Sequence, residues 1–335
     1  MDRFIVGTGR CGSTLLSRMM AEHPAVLSLF EFFNGLDFAR RFSREPVVGK
    51  DFAALIAAEQ PVVSAVLRRG YAVAEICYPF GSRSRYQRED PLPWILVGML
   101  PRLSDDPDAL FDEVMAFASD LPPQEMVQHH RALFDWLVKR LDRECWIERS
   151  GSSVDYLATL HEFFPTARFC HLHRDGREVA LSMRDHHAYR LPISMLYQAQ
   201  GDAGVPTVNF ATIDFGAPPD PADPISKILA SRPPVEVFGR YWSDQLAHGF
   251  AAMPALAADQ LLHVAFEELI TEPRQVLRQI GEFFELDPGR NGWIDRAAGL
   301  VRRIPPTRFD KLSAPEQASL SQACRTGTQL LGREI

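Results

Sequence analysis

The sequence has no apolar run that approaches the ~20 residues a membrane-spanning helix needs. Its first residues, "MDRFIVG", enter an apolar segment without the charged and then hydrophobic pattern of an export signal. Cysteine is scarce: the chain has 5, an odd number, and the two nearest each other, Cys145 and Cys170, are 25 positions apart. Such spacing fits neither a disulfide framework nor a zinc site. We therefore expect a reduced, cytoplasmic protein with no membrane span.

The chain also lacks an excess of positive charge. Lys and Arg total 36 and Asp and Glu total 43, which gives a formal net charge of -7. This balance argues against a general surface for nucleic acid, and we expect no nucleic-acid partner. An anionic ligand would therefore be held by a local cluster of arginines. With 335 residues, of which 46% are hydrophobic, the composition is that of an ordinary globular protein with a sizeable core.

A glycine-rich segment, "GTGRCGST" at residues 7–14, has the spacing of a phosphate-binding P-loop but lacks its lysine, since Ser13 stands at that position. Backbone N–H groups and the helix dipole at such a turn bind phosphate or sulfate. Arg10 supplies the missing charge, and its planar guanidinium suits a tetrahedral oxyanion. Cys11 is interpreted as a small buried residue, because Arg18 lies one residue too far downstream for a phosphatase loop.

The alternation of strand and helix patterns predicts an α/β fold, a P-loop-like parallel sheet flanked by helices. Four apolar runs predict buried parallel strands, centred near Phe4, Trp146, Phe169 and His263. Helical patterns occur at residues 13–22, 153–164, 178–187 and 276–284. We expect a single domain of residues 1–335, in which residues 32–143 form a mostly helical inserted cap and residues 191–235 form a lid loop.

A second motif, "RFCHLHRDGREVALSM", places Arg174 at the end of a strand and Ser182 two turns into the next helix, so that both converge on one phosphate. Together the two motifs resemble those of the sulfotransferases that use 3'-phosphoadenosine 5'-phosphosulfate (PAPS). In that family the first loop holds the 5'-phosphosulfate and the arginine and serine hold the 3'-phosphate. The resemblance implies that PAPS is bound by Arg10, Cys11, Gly12, Ser13, Thr14, Arg174 and Ser182.

Further segments extend the resemblance over much of the chain. "WIERSG" is similar to the family's Trp-x-x-Lys segment, with Arg149 in place of the lysine near the transferring sulfuryl group. "VAFEELITEPRQVLRQIGEFFEL" is similar to the late Tyr-Glu-Asp-Leu segment and the helix after it. A basic segment near the C-terminus falls where the family closes a loop over the 3'-phosphate. Its four basic residues remain alternatives for that contact: Arg302, Arg303, Arg308 and Lys311.

The catalytic base is expected to be a glutamate, as in the tyrosylprotein and several bacterial members of the family. No histidine adjoins Arg149, which removes the base type of the cytosolic small-molecule members. Glu31, in "HPAVLSLFEFF", matches the position of the family's glutamate, and its apolar neighbours favour a general base. Glu75 in "YAVAEICYP" is the second candidate, and His173 is a third because it adjoins Arg174.

The resemblance implies transfer of a sulfuryl group from PAPS to a small-molecule or lipid hydroxyl acceptor, with 3',5'-adenosine bisphosphate as product and no metal required. Glu31, Arg10 and Arg149 would carry the catalysis. Two alternatives remain: a P-loop small-molecule kinase, disfavoured by the absent lysine and the lack of a convincing strand-end aspartate for magnesium, and a nucleotide-binding protein without activity. The sequence specifies neither the acceptor nor the oligomeric state, and a homo-oligomer is one option.

Overall fold

The computed structural model describes residues 1–82, 84–197, 212–302 and 304–333. Within these ranges the strands are β1 (Arg3–Val6), β2 (Val26–Phe30), β3 (Cys145–Arg149), β4 (Arg168–His173) and β5 (Leu261–Ala265). All pairings between these five strands are parallel, and the strand order is β2-β3-β1-β4-β5. The predicted parallel α/β sheet is confirmed, and β2 is an additional strand at its edge.

Helices connect these strands. In chain order they are α1 (Ser13–Ala21), α2 (Phe32–Gly35), α3 (Gly49–Ile56), α4 (Pro61–Arg68), α5 (Pro107–Ser119), α6 (Met126–Arg140), α7 (Leu157–Phe163), α8 (Gly176–Asp185), α9 (His187–Leu196), α10 (Pro224–Ala230), α11 (Val235–Ala252), α12 (Phe266–Thr271), α13 (Pro273–Phe283), α14 (Trp293–Ala298) and α15 (Ala314–Leu330). Across the described ranges, none of them combines the length and the apolar character needed to span a membrane.

Two hydrophobic cores lie on the two faces of the sheet, because successive side chains of a strand point to opposite faces. In β1, Phe4 and Val6 pack into one core together with α3 to α6, whereas Ile5 packs into the other with α8 and α11 to α14. A sheet covered on both faces explains why its strands read as continuous apolar runs.

The two irregular regions of the sequence are largely helical where the structure describes them. Residues 32–143 hold α2 to α6, in agreement with the helical character expected there. Within 191–235, α9 continues to Leu196 and α10 begins at Pro224, so the expected lid is not loop throughout; residues 198–211 lie outside the described part. Helix α10 forms because Pro224 occupies its first turn and the Asp223 carboxylate accepts a 2.9 Å hydrogen bond from the Ser226 N–H.

The carboxyl ends of the parallel strands meet at one edge of the sheet. The turn after β1, Glu31 after β2, Gly151 after β3 and Arg174 after β4 therefore come close together in space. Ligands of open α/β sheets bind at this edge.

Candidate active site

The turn between β1 and α1 presents its backbone to the strand edge. Gly9, Arg10 and Gly12 have φ values of 73°, 52° and 97°, in the left-handed region. Gly12 precedes the first turn of α1, and no side chain among the described residues caps that helix. The N–H groups of its first turn therefore remain available to an anion.

Two aromatic side chains hold this turn from outside. A Cβ atom on Gly9 would lie 2.0 Å from the Tyr189 hydroxyl, and one on Gly12 would lie 2.1 Å from the Phe266 ring. Both positions therefore require glycine, because a side chain would clash with the aromatic ring and because the backbone has a positive φ. Tyr189 belongs to α9 and Phe266 begins α12, so the shape of the turn depends on elements far along the chain.

A cleft of ≈ 320 Å³ opens above the turn. It brings together most of the residues predicted for the site, namely Arg10, Gly12, Ser13, Thr14, Glu31, Arg149, Arg174 and Ser182. Cys11 differs: its side chain is fully buried beneath the turn, and burial raises the pKa of its thiol. Cys11 therefore fills space, as the sequence indicates, and can offer a ligand only its backbone.

Glu31 and Arg149 form a buried ion pair on the cleft wall. One carboxylate oxygen of Glu31 accepts from the Arg149 guanidinium, and the other accepts from the Gly151 N–H at 2.9 Å. Arg149 also donates to the Thr14 hydroxyl at 3.4 Å. The expected apolar setting of Glu31 is wrong, because its neighbours in space are N–H donors even though its neighbours in sequence are apolar.

Asn34 holds the same carboxylate from the first turn of α2. Its Nδ2 donates to Glu31 at 2.8 Å and also to the Gly151 carbonyl, and its Oδ1 accepts from the Tyr156 hydroxyl at 3.3 Å. Glu31 has a φ of 55°, which a non-glycine residue adopts at a cost that these bonds offset. Asn34 was not predicted from the sequence, although it lies only three residues after Glu31.

Glu75, the second candidate base, is bound by the side chains of Arg10 and His186. Its carboxylate accepts from Arg10 at 3.0 Å and lies 2.8 Å from His186 Nε2. Burial acts to raise the pKa of Glu75, but the contacts with His186 and Arg10 outweigh it and bring the pKa to about 2. Glu75 is thus a weak proton acceptor that anchors Arg10, which also donates to the Ser182 hydroxyl at 3.3 Å.

Arg174 lines the same cleft as Arg10 and Glu31. Its guanidinium stacks over the Phe266 ring at 4.6 Å, and within the described ranges it forms neither a hydrogen bond nor an ion pair. Burial lowers the pKa of Arg174, and the carboxylates of Glu178 and Glu267, which form no ion pair with it, offset this only in part. A phosphate beside Arg174 would supply a direct counterion. His173, the third candidate base, contacts Arg333 instead, and burial lowers its pKa to about 4.

The basic residues near the C-terminus differ in their surroundings. Arg308 is engaged by Glu178 at 3.2 Å and by Asp185 at 3.5 Å, so its charge is already compensated. Arg302 lines a pocket next to the cleft that shares Phe266 with it. Lys311 is exposed, and Arg303 lies outside the described residues.

Glu148 is a buried carboxyl that the sequence analysis missed. It precedes Arg149 on β3, points to the opposite face of the sheet, and accepts a 2.6 Å hydrogen bond from the Ser150 hydroxyl. Burial raises the pKa of Glu148 to about 8. An acidic residue inside the buried run "CWIER" was the available signal.

Neither a protein-family model nor a curated protein matches this sequence. The sulfotransferase domain of the olefin synthase from Synechococcus PCC 7002 is similar in structure, with a TM-score of 0.50 and 15% identity over 100% of this chain and 95% of that one. The sulfotransferase domain of the curacin biosynthetic pathway has a TM-score of 0.48 and 12% identity, covering 100% and 98%. A Mycobacterium avium sulfotransferase has a TM-score of 0.47 and 15% identity, covering 100% and 77%. The similarity to the Synechococcus domain confirms the expected fold.

Proposed function

From a sulfotransferase-like fold, we propose that this chain transfers the sulfuryl group of PAPS to a hydroxyl acceptor. The observation that carries the proposal is the convergence of three features on one cleft. These are the uncapped N-terminus of α1 with Arg10, the Glu31 and Arg149 ion pair, and Arg174, which forms no ion pair with the described residues.

The residues present fit the donor. The N–H groups at the start of α1, with Arg10 and Thr14, offer several donors to a phosphosulfate. Arg174 and Ser182 line the same cleft, and Arg174 offers a further positive charge for a 3'-phosphate beside Ser182, which accepts from Arg10 at 3.3 Å. A second phosphate site distinguishes PAPS from AMP and ATP.

The chemistry requires a new bond from the acceptor oxygen to sulfur while the bond from sulfur to the nucleotide phosphate breaks. The electron pair of the broken bond leaves with 3',5'-adenosine bisphosphate, and the acceptor proton passes to Glu31. Each carboxylate oxygen has two lone pairs. Oε2 of Glu31 accepts from both Gly151 and Asn34, whereas Oε1 accepts from Arg149 and keeps one lone pair for this proton. Arg149 and Thr14 line the same cleft and are joined by a 3.4 Å hydrogen bond, and in this proposal they stabilise the negative charge that is redistributed during transfer.

We assign residues 32–143 to an acceptor cap within a single domain of residues 1–335, with a small-molecule or lipid hydroxyl compound as acceptor. Trp94, from this segment, donates a 2.6 Å hydrogen bond to the carbonyl oxygen of Glu31, and Glu75 holds Arg10. The segment therefore contacts the base and the loop directly. Because Glu31 also binds Arg149, these contacts connect the proposed cap to the reacting centre.

The test has two steps. Calorimetry compares the affinities for 3',5'-adenosine bisphosphate and AMP, and we expect the bisphosphate to bind at least tenfold more tightly because of a charge-assisted contact to the second phosphate. Incubation with 35S-labelled PAPS and a metabolite extract then identifies the labelled acceptor. Equal affinities would contradict the donor assignment, and tight bisphosphate binding with no labelled product from any extract would favour an inactive nucleotide-binding protein.

A further inference from the structure

A second groove, of ≈ 360 Å³, runs along β2 beside α1. We call it the β2 groove. Arg18 of α1 lines it together with Arg102 and Arg143, which lie just before α5 and just after α6. None of the residues that line it is acidic. The groove therefore gathers three guanidinium groups without a carboxylate in its walls.

The β2 groove adjoins the reaction centre through one aromatic ring. The guanidinium carbons of Arg149 and Arg102 each lie 3.7 Å from the centroid of Phe30. Two guanidinium groups at this distance cannot share one face of a ring, so they occupy opposite faces. Arg18 lines both the cleft and the β2 groove. Only the Phe30 ring therefore separates Arg102 of the groove from Arg149 of the Glu31 ion pair.

None of the three guanidinium groups of the β2 groove forms an ion pair with a described carboxylate. Arg102 donates to the Gly98 carbonyl at 3.3 Å and Arg143 donates to the Asp142 carbonyl at 3.2 Å, but within the described ranges neither meets a carboxylate, and the same is true of Arg18. Burial lowers the pKa of Arg102. Arg102 is thus a partly dehydrated cation without a contacting carboxylate, and an anionic ligand would remove that cost. Arg18 and Arg143 are exposed, so they are available to the same ligand.

Neighbouring arginines show that ion pairs are the common arrangement nearby. Arg140 pairs with Glu113 at 2.5 Å, and Arg131, also on α6, pairs with Asp2 at 2.7 Å. The unpaired guanidinium groups of the β2 groove stand out in a chain whose net charge is -7. Their convergence on one concavity points to a ligand.

We propose that the β2 groove binds an anionic group of the acceptor, a phosphate or a carboxylate, while the acceptor hydroxyl lies at Glu31. Apolar side chains of Leu27, Leu103 and Leu141 line the groove between the arginines and suit a hydrocarbon spacer. The five residues of β2 span roughly 13 Å from first to last Cα, which sets the scale of the separation between hydroxyl and anion. The assignment to the acceptor rests on the proposed sulfuryl transfer, whereas anion binding by the groove does not.

The test uses two matched probes, 8-hydroxyoctyl phosphate and 1,8-octanediol. Calorimetry measures their affinities for the full chain with the cleft saturated by 3',5'-adenosine bisphosphate. We expect the phosphate to bind at least tenfold more tightly than the diol. Arg102→Gln and Arg143→Gln should each remove most of that preference and leave the affinity for the bisphosphate unchanged. The control Arg278→Gln removes one exposed positive charge on α13 and should have no effect.

Equal affinities of the two probes would overturn the proposal, as would a loss in both groove variants no larger than that of Arg278→Gln. If Arg102→Gln unfolds the chain because it releases the Phe30 stack, Arg143→Gln decides. If 3',5'-adenosine bisphosphate does not bind, the proposed function fails, and the probes are titrated without it. Arg174→Gln then shows whether the phosphate probe binds in the cleft, and Arg143→Gln shows whether it binds in the β2 groove.

If both the proposed function and the groove assignment hold, the wild-type chain should sulfate the phosphate probe in preference to the diol.

Discussion

The backbone N–H of Glu31 donates a 2.7 Å hydrogen bond to the carbonyl oxygen of Arg149, and the side chains of the same two residues form an ion pair. The pairing of Phe30 with Arg149 in adjacent parallel strands sets this relationship. The proposed base and its cation are therefore placed together by the sheet. Removing either leaves the other charge buried and unpaired, which is strongly destabilising.

Glu31→Gln should lower turnover by ~10²- to 10⁴-fold, the usual contribution of a positioned base, without changing the affinity for 3',5'-adenosine bisphosphate. It should also lower the melting temperature, because both carboxylate oxygens accept from N–H groups and an amide NH₂ would have no acceptor there. Asn34→Ala is the matched control: it weakens the same network but keeps the carboxylate. A Glu31→Gln chain with turnover no lower than that of Asn34→Ala would rule out the base.

Arg174→Gln should weaken binding of 3',5'-adenosine bisphosphate roughly tenfold to a hundredfold and leave AMP binding unchanged. Arg308→Gln is the control from the C-terminal segment, and its effect on bisphosphate affinity should be smaller because Glu178 already engages that guanidinium. Calorimetry with both nucleotides measures this difference. A larger loss from Arg308→Gln than from Arg174→Gln would reverse the assignment of the 3'-phosphate contact.

Sulfuryl transfer should persist in EDTA, because Arg10, Arg149 and the N-terminus of α1 supply positive charge to the phosphosulfate. A kinase reaction depends instead on magnesium ions that bridge phosphate oxygens. The measurement is the initial rate with labelled PAPS, with and without EDTA, and then with added magnesium. Strict magnesium dependence together with ATP turnover would favour the kinase alternative.

Glu148→Gln should stabilise the chain increasingly as the pH rises from about 5 to about 8. Burial raises the pKa of Glu148 from 4.5 to about 8, so the native state binds a proton more tightly than the unfolded state does. The stability that this proton contributes is fully present below pH 4.5 and is lost as the pH rises through 8. The glutamine variant does not titrate and avoids that loss. The melting temperatures of the wild-type and Glu148→Gln chains, compared from pH 5 to pH 8, test this expectation. A difference in melting temperature that does not change with pH would contradict the raised pKa of Glu148.

Acid should destabilise the chain below about pH 6.5 through its buried imidazoles. Burial lowers the pKa of His173 to about 4 and that of His130 to about 3, so the unfolded state takes up protons first. The stability present above pH 6.5 is lost progressively as the pH falls toward these values. Urea unfolding at pH 7.5, 6 and 5 tests this. His130→Gln should flatten the slope, whereas exposed His248→Gln should not; equal slopes in the two variants would refute the assignment.

The sheet was largely predictable because buried parallel strands leave continuous apolar runs bounded by turns. The glycine turn and Arg174 follow two of those runs directly, so their positions were predictable too. Edge strand β2 was not predicted, since "VLSLF" is a short run close behind α1. The polar surroundings of Glu31 were also hidden, because its donors Arg149 and Gly151 are more than a hundred positions away in sequence. Tyr189 and Phe266 reach the cleft only through tertiary packing.

The packing of Tyr189 on Gly9 and of Phe266 on Gly12 bears on how the site matures as the chain is made. The glycine turn proposed to bind the phosphosulfate is complete within the first 14 residues, yet the rings that pack on it follow roughly 180 and 250 positions later. A truncated chain that ends before α9 would carry the motif intact and still lack both rings. Binding of the proposed nucleotide should thus appear only after most of the polypeptide, including Phe266, has left the ribosome.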